Sequence, residues 1–378
     1  MNTLPTHQPR PIKVAFLTPS MVGGGAERWL VSLAQQFLRG SACEPVGLAV
    51  LHSDVMDASL TRQARAAMPV WLAPESSPRE CVRRACERAS VLISWGCPNL
   101  GELTSGLDLP VVEVSHSTAE LPGQTNLVGH SMRAAHFWVA VSETAATSFP
   151  EADRPRVEIL ANGCDLNRLA PKLGRAAYRR NWAFGDDHTV IVSVGRINPV
   201  KRSELLVAAL AHLPEQFRLV FAGPGQQGAQ EKAAEYARLF APGRVYFAPT
   251  HEHLGDLLAL ADVFATASSV EAHSLALNEA WLAGVPVACR ISVVEEFERR
   301  HGQMMFTAPR DATAAELATA IQRAAAAGRG HPAVKHARRV AEQHYTLAAM
   351  AGRWELFLRG VLVDWLDHAI YPPLNRVG

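Results

Sequence analysis

The sequence predicts two tandem Rossmann-like domains, each an α/β unit built on a parallel, doubly wound sheet. Three observations predict this class. The chain has 378 residues, more than one hydrophobic core usually serves. Short apolar runs alternate with stretches of helical spacing, as strands and crossover helices do in a parallel sheet. The alternation breaks once, across residues 161–187, where Asn, Pro, Gly and charge accumulate, and then restarts.

Residues 12–18 (IKVAFLT) read as a buried strand. The turn Gly23-Gly24-Gly25 follows, and residues 26–38 carry helical spacing with Leu30, Leu33, Ala34 and Phe37 on one face. Further strands are expected at 46–51, 91–95, 111–115 and 137–141, with helices at 78–89 and 143–149. A linker near residues 171–174 divides a first domain, 1–172, from a second, 173–353. In the second, strands are expected at 189–194, 217–222, 245–248, 263–267 and 287–289, and helices at 201–212, 229–240 and 275–283. The tail, 354–378, begins with Trp354, Leu358, Val361, Leu362 and Trp365 interspersed with Arg359 and Asp364. It reads as a helix packed on the body, since a membrane-surface helix would carry more lysine and arginine on its polar face.

Composition narrows the function. Hydrophobic residues make up 48% and charged residues 19%, and the net charge is +1. Such a balance gives no case for wrapping nucleic acid. The six cysteines, at 43, 81, 86, 97, 164 and 289, form no CxxC pair and no Cys/His ligand spacing, which argues against structural zinc. Reduced thiols of a cytoplasmic enzyme are the expectation. Residues 1–11 lack an apolar signal region, and no apolar run of membrane-spanning length occurs.

Ligands of doubly wound sheets sit at the carboxyl ends of strands, where helix N-termini offer unpaired N–H groups. The sharpest constellation there is Glu271-Ala-His-Ser-Leu-Ala-Leu-Asn-Glu279, after the strand at 263–267. Glu271 falls on the loop and Glu279 on the following helix. Carboxylates accept from sugar hydroxyls, and the N–H groups between them suit phosphate oxygens. An acid stabilising a helix dipole is the alternative reading. In Ser193-Val-Gly-Arg196-Ile-Asn-Pro-Val-Lys201, fixed cations beside a strand end can clamp a diphosphate, or else are solvated surface charges. Gly223-Pro-Gly225-Gln-Gln-Gly228 matches GxGxxG, but no acid follows where a dinucleotide ribose needs one, so NAD is rejected and a ligand-facing turn expected. Gly23-Gly24-Gly25 fails both that fingerprint and the P-loop, and leaves a loop that lets a ligand approach backbone. His116 stands at a strand end, where it is structural or catalytic. Arg79, Arg83, Arg84 and Arg88 share a helix face that is solvated or meets an anionic lipid or acceptor.

Together these segments resemble the retaining GT-B glycosyltransferases of the large family 4. The resemblance is carried in order by Gly23–Arg28, Val139-Ala-Val-Ser-Glu143, Leu160-Ala-Asn-Gly-Cys-Asp165, Val194-Gly-Arg196 with Lys201, Ala222-Gly-Pro-Gly225, and Glu271 with Glu279. It implies two Rossmann-like domains facing a cleft and a C-terminal helix returning to the first. It also implies roles. Glu279 would accept from the nucleotide ribose and Glu271 would hold the donor sugar. Arg196 and Lys201 would bind the diphosphate, helped by backbone at Gly24, Gly25, His273, Ser274 and Leu275, with Gly223 and Gly225 lining the donor turn. His116 would sit by the reacting centre. No metal and no cofactor are implied, the nucleotide sugar being a co-substrate. Two positions depart from the family: Ala272-His273-Ser274 fills a loop that often has Gly, and Ser117 follows His116 where many members have Asp.

An epimerase or phosphorylase on the same frame, or a non-catalytic binding homologue, are the competing readings. The acceptor pocket is expected from loops around residues 95–99 and 117–130; saccharide, lipid-linked sugar and natural product all remain open as acceptors.

Overall fold

The computed structural model describes residues 10–54, 56–120, 134–226, 228–248, 253–290 and 294–370, without the side chains of Pro74 and of residues 368–370. The chain divides into two compact units. The first comprises residues 1–162 with 347–378, and the second residues 163–346.

The first unit holds seven parallel strands: β1 (Ile12–Thr18), β2 (Cys43–Val50), β3 (Val70–Leu72), β4 (Val91–Trp95), β5 (Val111–Ser115), β6 (Phe137–Ala140) and β7 (Val157–Ile159). Their order is β3-β2-β1-β4-β5-β6-β7. The second unit holds β8 (Thr189–Val194), β9 (Phe217–Ala222), β10 (Val245–Ala248), β11 (Val263–Thr266), β12 (Val287–Arg290) and β13 (Phe306–Ala308), in the order β10-β9-β8-β11-β12-β13. Every pairing is parallel. Strands of such sheets are covered on both faces, so they read as unbroken apolar runs. Accordingly Val14, Ala15, Phe16 and Leu17 in β1 are all fully buried.

Three strands lie outside the sequence expectation: β3, β7 and β13. Each has three residues, too few for a period, and each is a sheet edge. β2 starts three residues earlier than expected, because Pro45 and Gly47 disguise it. The register with β1 shifts there, Val14 facing Pro45 and Ala15 facing Gly47, so Val46 is bulged out. β3 pairs only with Leu48, Ala49 and Val50, so Pro45 interrupts no bond on that side. Gly47 is required, since a Cβ would strike the Ala85 backbone of the Pro78–Cys86 helix.

The chain passes between units at residues 162/163, ahead of the 171–174 linker read from composition. The intervening residues are held to the second unit. The Cys164 N–H donates to the Tyr345 carbonyl at 2.9 Å, and the Leu173 N–H to Asp256 at 2.8 Å. The Leu347–Ile370 helix belongs to the first unit. Trp354, Leu358 and Val361 are buried there, Trp354 lies 5.6 Å from Trp29, and Glu355 accepts from Ser41 Oγ and the Ala42 N–H. Leu356, Val363 and Leu366 face outward.

In the second unit, the buried Arg179 and Arg244 and the exposed Arg329 close carbonyls that helix and strand ends leave open. Arg179 donates to Gly185 and His188, Arg244 to Leu210, Leu213, Pro214 and Phe217, and Arg329 to Leu258, Ala261 and Ala283. Among the described residues no helix is long and apolar enough to cross a membrane. All six cysteines are free and buried. Burial pushes the Cys43 thiol up to about 11 and that of Cys86 up to about 12.

Candidate active site

Strand order locates the site in the second unit. The connections after β8 and β11 leave their neighbouring strands in opposite directions, and the crevice this opens is where such sheets bind ligands. The loop after β8 carries Arg196 and Lys201, and the loop after β11 carries Glu271, so topology brings the sequence candidates together.

The two loops are stitched to each other. The Ser269 N–H and hydroxyl both donate to the Val200 carbonyl, at 2.9 and 3.2 Å. Asn198 caps the short turn Pro199–Lys201 by accepting from the Lys201 N–H at 3.0 Å. The Lys201 ammonium then reaches the Glu271 carboxylate directly. Ser268 Oγ donates to the same Glu271 oxygen at 2.6 Å and lies 2.9 Å from Thr266 Oγ1. Lys201 and Glu271 were expected to serve phosphate and sugar separately; here each orients the other. Arg196 is exposed, and no ion pair to it occurs among the described residues.

Glu279 lies one turn into the Leu275–Leu282 helix and is 7% exposed. Arg168 approaches its carboxylate at 3.4 Å. This partner was missed from the sequence, because Arg168 stands 111 residues away in a segment that reads as linker. Ser274 caps the same helix without a side-chain bond, so the N–H groups at its start are not closed by Ser274 Oγ. The His273 ring is buried against Phe297 and Tyr345, with centroids 5.6 and 5.7 Å away.

Gly223 and Gly225 have a packing reason to be glycine. The loop after β9 lies against the loop after β8: the Ile197 N–H donates to Pro224 at 2.9 Å, and the Gln226 N–H to Ile197 at 2.8 Å. Gly223 has φ +146°, and a Cβ there would collide with the Gly195 carbonyl; one on Gly225 would collide with the Gln230 side chain.

In the first unit the corresponding crevice lies between β1 and β4. Gly23, with φ +81°, packs on Asp57, and Gly24 precedes the Gly25–Leu38 helix as its cap. The His116 ring lies 4.6 Å from Trp29 and 5.8 Å from Trp95. Gly96 N–H donates to the buried Glu113 at 3.0 Å. Residues 121–130 of the expected acceptor loop lie outside the described residues. Arg83 and Arg84 pair with Glu80, Arg88 with Glu44, and Arg79 donates to the Ser105 carbonyl. That helix face is a solvated, ion-paired one. Bonds from Arg83 and Arg84 hold the Glu80 carboxyl down at about 2.

Residues 188–327 match the family model described as glycosyl transferases group 1. The D-inositol 3-phosphate glycosyltransferase of Mycobacteroides abscessus is 35% identical over 145 residues, 37% of this chain and 32% of that protein. The putative glycosyltransferase EpsF of Bacillus subtilis is 34% identical over 183 residues, 47% of each chain. The chain therefore spans only about a third to a half of the length of these curated relatives. Among solved structures, HepE of Anabaena in complex with UDP-glucose superposes with a TM-score of 0.76 at 21% identity, over 92% of this chain and 100% of that one. WaaG, a glycosyltransferase involved in lipopolysaccharide biosynthesis, superposes with a TM-score of 0.68 at 18% identity, again over 92% and 100%. Residues 188–327 are thus similar to the group 1 glycosyl transferases, and the two units have the GT-B fold.

Proposed function

We propose that the protein transfers a hexose-type sugar from a UDP- or GDP-linked donor to a hydroxyl acceptor, with retention of configuration and without a metal ion. The observation that carries this reading is the Lys201–Glu271–Ser268 cluster at the carboxyl ends of β8 and β11, with Ser268 and Glu271 in the loop that leads into the helix bearing Glu279. The Arg196 and Lys201 cations take the diphosphate. Their charge is in place before the glycosidic bond breaks, so it stabilises the departing oxygen more than the bound donor. Backbone N–H groups from His273 to Leu275 supply neutral donors to the same oxygens. Glu271, held by Ser268, accepts from donor-sugar hydroxyls, and Glu279 accepts from the ribose. The acceptor hydroxyl attacks from the face the diphosphate leaves and passes its proton to the departing oxygen. HepE, whose structures hold UDP and UDP-glucose, supports a UDP-linked donor as the first to test. No cofactor is assigned.

The test is calorimetry with UDP and GDP, followed by product analysis with UDP-glucose and GDP-linked sugars in the presence and absence of EDTA. Activity is expected to survive EDTA. Loss in EDTA with recovery on adding Mn²⁺ or Mg²⁺ would overturn the cationic clamp. Conversion of the free donor to another sugar nucleotide with no acceptor present would favour an epimerase.

A further inference from the structure

Buried arginines of the second unit answer to carbonyls, with one exception. Arg290, the last residue of β12, is 6% exposed, and its Nε and Nη1 are sealed from solvent with no hydrogen-bond partner among the described residues. Its strand neighbour in register is Ala308. Side chains two apart on a strand share a face. Arg290 thus projects on the side of Ala288, which belongs to the core shared with the Ser203–Ala211 and Ala314–Ala327 helices.

Both of those helices begin at this end of the sheet, and a cation stands at each start. Arg202 caps the first with φ 48° and ψ 48°, in the left-handed region that costs a non-glycine residue. Arg310 precedes Thr313, the cap of the second, by three residues. Burial, and then the Arg202 and Arg310 charges, hold the Arg290 guanidinium below its ordinary pKa, while the Asp311 carboxylate opposes them. Helix N-termini favour anions and disfavour cations. Three arginines gathered at two helix N-termini, one of them buried with open donors, form an arrangement that an anion completes.

We propose that Arg290, Arg202 and Arg310 form an oxyanion site at the carboxyl edge of the second sheet, which takes a phosphate or carboxylate group. It shares no side chain with the proposed diphosphate clamp of Arg196 and Lys201. The inference does not rest on the transferase reading. Arginine's planar fork suits both anion types, so the ligand's chemistry is left to two arms of one experiment.

The experiment is thermal denaturation of the full chain at constant ionic strength, with chloride replaced by inorganic phosphate in one arm and by glucuronate in the other. Wild type, Arg290→Met and Lys201→Ala are compared. A bound anion is expected to raise the wild-type midpoint by about 2–4 °C. Lys201→Ala should keep that rise and Arg290→Met should lose it. A rise with phosphate alone assigns a phosphoryl ligand, and a rise with glucuronate alone assigns a carboxylate. Arg290→Met should be at least as stable as wild type in chloride, since an apolar side chain replaces a buried cation. If that variant does not fold, Arg202→Gly serves instead: it relieves the left-handed strain and should reduce the anion response. An equal response in wild type and Arg290→Met, no response to either anion, or a response lost only with Lys201 would overturn the proposal.

Discussion

Lys201→Met separates a structural brace from a catalytic cation. The Lys201 ammonium contacts Glu271, with the lysine side chain 28% and the glutamate side chain 12% exposed. Breaking a fully buried pair costs about 3–5 kcal/mol, and breaking an exposed one about 0–1 kcal/mol. This pair is partly hydrated, and Glu271 keeps its bond from Ser268 Oγ at 2.6 Å. A loss of about 1–2 kcal/mol of stability follows, or roughly 2–8 °C in the melting midpoint for units of this size. The double variant Lys201→Met/Glu271→Gln leaves no unpaired charge and should regain most of that loss.

Turnover should behave differently. If Lys201 neutralises the departing diphosphate, its removal lowers kcat by about 10²-fold, a typical loss for one such donor. The double variant should not regain it. Urea denaturation of the four proteins of the cycle gives the stability term, and UDP release from UDP-glucose gives the rate. A Lys201→Met enzyme that is destabilised but keeps kcat within about threefold of wild type would refute the clamp and leave the pair as a brace.

Glu279→Gln should weaken UDP binding by about 1.5–3 kcal/mol, the worth of a charge-assisted bond, as read by calorimetry; equal affinity would leave Glu279 as no more than the partner of Arg168. Gly223→Ala should disorder the loops after β8 and β9, since its φ of +146° is strained for alanine and the new Cβ meets Gly195; a crystal structure with both loops unmoved would contradict this. Glu355 accepts from the Ala42 N–H, Arg359 and Ser41, which hold its carboxyl below the usual range. Its contribution to stability is therefore complete above the unfolded value of about 4.3 and lost as pH falls through the lower folded value. The midpoint gap between wild type and Glu355→Gln should shrink as pH falls below about 4.3; a constant gap would mean that the carboxylate charge is not what stabilises.

What the sequence revealed, and what it hid, follows from where each signal is stored. Central strands such as β1 and β8 lie between two neighbours and two helical layers, so their burial is written as apolar runs. Edge strands β3, β7 and β13 pair on one side only and leave three residues each. Arg196, Lys201, Glu271 and Glu279 stand out in the sequence as candidates because strand-end loops keep polar residues close to the strand that positions them. Their partners were less so. Ser268 lies three residues from Glu271, within reach of inspection, whereas Arg168 meets Glu279 only through the fold. Arg290 marks the limit of sequence reading. Arg244 and Arg290 look alike in the sequence, one just before a strand and the other ending one. Only the structure shows that the first finds the Leu210, Leu213, Pro214 and Phe217 carbonyls, while the second keeps two donors open beside Arg202 and Arg310. A buried donor's unmet demand is a property of its surroundings rather than of its residue type. That is why the proposed clamp is suggested by spacing, whereas the proposed second anion site is suggested by hydrogen bonds that are missing.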